Sequence, residues 1–184
     1  SFMAAAIWGL DNWEPVMLFL DFALLVTTII FLIRFWSEVR PLLARTGLLH
    51  PATYVGLAVL VPLLGLNFGY HRLLVELLAI EAEYYMDYFS SEWGPLIFIC
   101  LLPAIVEEIG FRGVIQGQFE KAVKPWTAIA VASLAFSAAH FSVLSAPYLA
   151  LVGVLLGWMK WKTGSLYPSM IAHFAHNYVV ITYF

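Results

Sequence analysis

The chain is built of long apolar stretches separated by short clusters of charge, and within each stretch the apolar residues run on without alternating. Six stretches stand out: 15–36, 52–70, 94–114, 126–143, 148–161 and 166–184. A helix needs about 20 mostly apolar residues to cross hydrocarbon, and in lipid only helices and closed barrels satisfy their own backbone. Barrel strands would show a period of two, which is missing here. The pattern predicts an all-α, polytopic membrane bundle of about six transmembrane helices.

The breaks are equally legible. Arg34, Glu38, Arg40 and Arg45 form a charged connector with Pro41 as a helix break. Pro62 and Gly65 predict a kink in the second apolar stretch. In 70–93, the apolar face of Leu73, Leu74, Leu77, Leu78 and Ile80 is interleaved with Glu76, Glu81, Glu83, Asp87 and Glu92. Tyr84, Tyr85, Tyr88, Phe89 and Trp93 suit the headgroup belt, so this stretch reads as an interfacial or re-entrant helix. Residues 116–124 are polar enough to be interfacial, and Gly153-x-x-x-Gly157 permits close helix contact. With six spans and the N-terminus outside, Arg34, Arg40, Arg45, Lys121, Lys124, Lys160 and Lys162 all face the cytoplasm, as the positive-inside rule asks.

Composition excludes the alternatives to a membrane protein. Of 184 residues, 62% are hydrophobic and 11% charged, whereas a soluble domain carries about 25% charge. The length suits one integral membrane domain over 1–184. A net charge of -3 argues against nucleic acid as a partner, and the single Cys100 against a disulfide framework. Ser1-Phe2-Met3 reads as an addition ahead of a native start. No cleavable signal peptide is expected, because Asp11 and Glu14, not a basic segment, precede the first apolar run.

Charge at membrane depth is costly, and here it is concentrated. Residues 105–116 read IVEEIGFRGVIQ. On a helix Glu108 and Arg112 stack four apart, while Glu107 points about 100 degrees away. That suggests a supporting pair beside a carboxylate free for chemistry; the alternative is one ion network that only fixes packing. Phe136 and His140 share a face, and a lone histidine in such a run is more often a satisfied packing residue. His173 and Asn177 share another, with His176 at its border. A carboxylate, two histidines and an amide are the parts of a hydrolase: a base for water, a water-holding imidazole and donors for an oxyanion.

Glu107-Glu108-x-x-x-Arg112, Phe136-x-x-x-His140 and His173-x-x-x-Asn177, in this order and on apolar helices, resemble the three motifs of the CAAX protease and bacteriocin-processing (Abi) family of intramembrane peptidases. The likeness covers a core of 95–184. It implies that Glu107 activates water, Glu108 and Arg112 support the site, His140 holds the water, and His173 and Asn177 bind the oxyanion. It further implies a glutamate-type mechanism without a cofactor, and a hydrophobic or lipid-anchored peptide or protein as substrate. The expected setting is a prokaryotic cytoplasmic membrane, with lipids as the surrounding partner. One departure is Ile109-Gly110-Phe111, where many relatives carry an aromatic residue earlier; Gly110 leaves room either for substrate or for tight helix packing. Two rival readings stand beside this one. Glu107, His140 and His173 are competent zinc ligands, although H-E-x-x-H is missing. A peptide-binding immunity or transport protein would also carry buried charge.

Overall fold

The computed structural model describes residues 14–78 and 93–183, and among them every regular element is helical. Helix α1 (Glu14–Arg34) breaks at Phe35 into the short α2 (Trp36–Val39) and two 3-10 turns. Phe22–Arg34 and Trp36–Leu43 meet at 84°. Helix α3 (Pro51–Leu78) runs unbroken through Pro62. Next come α4 (Trp93–Phe119), α5 (Pro125–Ala139), α6 (Ala146–Thr163) and α7 (Tyr167–Tyr183).

The bundle is inverted relative to a water-soluble one. Glu108, Arg112, Gln116 and His173 are among the most deeply buried side chains, while Phe22, Ile33, Val61, Leu134 and Val143 are exposed. A water-facing surface of that kind would be unstable, whereas lipid accepts it. By length and composition Pro51–Leu77 and Trp93–Phe119 can each cross a membrane, and the bent pair around Phe35 makes a third candidate. The other apolar runs form shorter helices packed into the bundle. The stretch 70–93 begins as the last turns of α3 and ends at Trp93, the first residue of α4; residues 79–92 of the expected interfacial helix lie outside the described residues.

Lipid offers no hydrophobic drive for helices to associate, so close packing of small residues must supply it. The Gly153-x-x-x-Gly157 stripe does this. A Cβ at Gly153 would sit 2.9 Å from Ser133 Cβ, and one at Gly157 3.2 Å from Ile129 Cγ2. As α6 advances by one turn its partner on α5 retreats by one turn, which is antiparallel packing in register. At Gly56 an added Cβ would fall 2.5 Å from Met159 Sδ, so α3 approaches α6 as closely. Around these contacts Leu60, Tyr148, Val152, Leu156, Met159 and Ala172 join α3, α6 and α7.

The Lys121 and Lys160 ion pairs and the contacts around Glu38 and Leu42 gather at one end. Lys121 pairs with Glu38, Gln118 Nε2 donates to Glu38 Oε2 at 2.7 Å, and Leu166 N donates to Leu42 O at 2.8 Å. The helix α6 stops there because Gly164 takes a left-handed φ of 62°. At the opposite end Tyr70 Oη donates to Leu144 O at 2.6 Å, tying α3 to the α5–α6 turn.

Gly153→Ala is expected to lower stability by about 1–3 kcal/mol, because Ser133 cannot retreat without moving α5. Gly65→Ala, into open space, is expected to change it by less than about 1 kcal/mol. Unfolding in mixed micelles measures both, and equal losses would contradict the packing described.

Candidate active site

Helix α4 carries the carboxylates, and its backbone is not plain α-helix. It widens into π turns at Leu96–Leu101 and again at Glu108–Gln116. Such widening is uncommon and concentrates at functional sites. Residues four apart still face one way in a π turn, so Glu108, Arg112 and Gln116 form one polar stripe.

That stripe is fastened to α6 and α7. Arg112 Nη1 donates to Glu108 Oε1 at 2.8 Å, with both side chains fully buried. Arg112 Nη2 reaches Gly153 O at 3.4 Å, and Gln116 Nε2 donates to Gly157 O at 3.0 Å. The glycines that let α5 approach α6 thus also leave carbonyls open to side chains from α4. One turn further, Glu120 Oε2 accepts from Lys160 Nζ at 2.6 Å. From α7, His173 Nδ1 lies 3.0 Å from Glu108 Oε1. A carboxylate oxygen accepts, so Nδ1 carries the proton there. His173 Nε2 then lies 3.9 Å from Glu107 Oε2 and is a donor only in the doubly protonated ring.

Glu107 differs from Glu108. Its side chain is 14% exposed, and its buried Oε2 finds no hydrogen-bond partner among the described residues. Glu108 is held through Oε1 by Arg112 and His173 while its Oε2 is equally without a described partner, so the two carboxylates differ in the ion pair and in exposure, not in the orphaned oxygen.

Phe136 is the hub between the motifs. The Arg112 guanidinium lies 4.3 Å from its ring centroid, and the rings of His140 and His173 meet it edge-on at 4.7 and 5.6 Å. Phe111 closes the fourth side at 5.4 Å. Helix α5 ends immediately after, with Phe141 in a left-handed φ of 50° that is strained for a residue with a side chain. The Phe136 carbonyl is taken by His140 Nδ1 at 2.8 Å. A carbonyl only accepts, so Nδ1–H points inward and His140 Nε2 is left as an acceptor in the neutral ring.

The structure thus brings Glu107, Glu108, Arg112 and His173 together directly and His140 through the Phe136 ring. Asn177 touches α4 elsewhere, where its Nδ2 donates to Ile99 O at 3.0 Å. Gly110 packs against α1, since a Cβ there would sit 3.1 Å from Thr28 Oγ1. Its lack of a side chain serves helix packing. No cluster of three or more His, Cys, Asp or Glu side chains with metal-binding geometry occurs among the described residues. Gln116 joins the stripe without having been singled out in the sequence, although its place four after Arg112 in an apolar run was a usable signal.

Residues 89–179 match the family model described as "Type II CAAX prenyl endopeptidase Rce1-like". The Bacillus subtilis (strain 168) protein YpbD is 42% identical over 83 residues, 43% of this chain and 40% of that protein. The chain therefore spans about two fifths of the length of the curated relative it matches. No solved structure matches.

Glu108→Gln leaves Arg112 buried without its counter-charge and is expected to cost about 3–5 kcal/mol. Glu107→Gln removes no hydrogen bond to a described residue and is expected to cost under about 1 kcal/mol. Unfolding of the two variants in the same micelles compares them, and a reversed order would refute the division of the pair.

Proposed function

We propose that the chain, whose residues 89–179 match the Rce1-like family model, is an intramembrane endopeptidase of the glutamate type. The observation that carries this reading is Glu107: a carboxylate still 14% exposed, 3.9 Å from His173 Nε2 and outside the fully buried Glu108–Arg112 ion pair beside it. Glu107 takes a proton from water, whose oxygen bonds to the peptide carbonyl carbon. His140 Nε2 accepts the water's second hydrogen and holds the oxygen in line. The carbonyl oxygen becomes an oxyanion that receives hydrogen bonds from doubly protonated His173 Nε2 and from an Asn177 N–H. When the carbon–nitrogen bond breaks, Glu107 returns its proton to the leaving amine. Glu108 and Arg112 fix the orientation of His173 and of the helix that bears Glu107.

The substrate is a membrane-associated peptide or protein with a hydrophobic or lipid-anchored segment, and the setting is a prokaryotic cytoplasmic membrane. The apolar exterior of the bundle and its buried polar interior favour a substrate entering from lipid. The basic end of the bundle faces the cytoplasm on the positive-inside rule.

The purified protein in lipid is expected to cut members of a hydrophobic peptide library, read by mass spectrometry, with chelator present. Glu107→Gln is expected to lower kcat at least about 100-fold while the protein stays folded. Full cleavage by the variant would remove Glu107 from the role of base. Cleavage abolished by chelator and restored by zinc would replace the reading with a metal-dependent one.

A further inference from the structure

Asn177 has a single possible amide orientation, and its cause can be followed outward residue by residue. In an α-helix the Ile99 carbonyl would accept from residue 103, which is proline and has no N–H. That carbonyl accepts Asn177 Nδ2 at 3.0 Å. Because a carbonyl cannot donate, the nitrogen of the amide must face Ile99 and Oδ1 must face the other way. Oδ1 lies 2.9 Å from His176 Nδ1. It only accepts, so Nδ1 carries the proton, and in the neutral ring Nε2 is the acceptor. Nε2 lies 2.8 Å from the Tyr148 hydroxyl, which must donate. Tyr148 and His176 also stack at 5.6 Å, with 26° between their planes, and both are buried.

We infer that His176 and Tyr148 are positioning residues, a directional chain from Tyr148 O–H through His176 to Asn177 that holds the amide in one orientation and keeps its second N–H available to the reaction. Neither residue touches the reacting atoms. Without the chain, rotating the amide by 180° would turn Oδ1, an acceptor, toward the place where negative charge develops. The use of the free N–H rests on the peptidase reading, while the order of donors and acceptors rests on the hydrogen bonds alone.

Two measurements on the intact protein test it. With 15N-histidine, His176, identified among the five histidines by the signal lost in His176→Asn, is expected to show a protonated Nδ1 and an unprotonated Nε2. A protonated Nε2 would overturn the chain whatever the activity. On a cleaved peptide, Tyr148→Phe and His176→Gln are expected to lower kcat about tenfold with KM unchanged, as loss of orienting partners does. His176→Asn, whose amide N–H can take the place of Nδ1–H, is expected to keep several-fold more of kcat than His176→Gln. Equal losses in the two His176 variants, in proportion to lost stability, would make the pair structural and overturn the positioning role. A protonated Nδ1 in a protein that cuts no peptide would uphold the donor order and count against the peptidase reading. Glu107-dependent cutting with a protonated Nε2 would do the reverse.

Discussion

The buried ion pair of Glu108 and Arg112 is the constraint on which the rest depends. Two full charges stripped of solvent cost several kcal/mol each unless geometry and further hydrogen bonds compensate. The fold compensates in part from four helices: Glu108 itself at 2.8 Å, the Gly153 carbonyl of α6, the Phe136 ring of α5 and His173 of α7, while Arg112 Nε and Glu108 Oε2 have no described partner. A lipid-soluble bundle lacks a strong hydrophobic drive to associate, so these polar contacts and the glycine stripe fix which helices meet and in what register. The same contacts take Glu108 into the ion pair and leave Glu107 outside it, partly exposed. Packing and chemistry are therefore parts of one arrangement.

Much of this was legible in the sequence because lipid simplifies the code. Long apolar runs had to be helices, and Glu107, Glu108, Arg112, His140, His173 and Asn177 stood out because polar groups in such runs need partners. Spacing of four residues paired Glu108 with Arg112 correctly and put Phe136 beside His140. What spacing could not give was the relation between helices. That Arg112 caps a glycine carbonyl 41 residues away, or that His173 turns Nδ1 toward Glu108, depends on crossing geometry that no local pattern encodes. The π turns were also hidden, although Pro103 marks the Ile99 carbonyl as one that an α-helix would leave free.

Glycine serves here in three distinct ways. Gly153 and Gly157 admit α5 and expose carbonyls to α4, Gly110 admits α1, and Gly164 turns the chain from α6 into α7. The strained φ of Phe141 belongs to a different economy: it ends α5 so that the His140 ring folds back onto the Phe136 carbonyl. A left-handed residue with a side chain persists only where its surroundings hold it there, and here those surroundings are the site.

The central claim is that Glu107 drives water directly onto a peptide carbonyl. Single-turnover cleavage of an identified substrate peptide, in 18O-labelled water with hydroxylamine present, tests it most directly. The account predicts one 18O atom in the new carboxylate and no hydroxamate at any hydroxylamine concentration. Hydroxamate rising with hydroxylamine would reveal a covalent acyl-enzyme and contradict it.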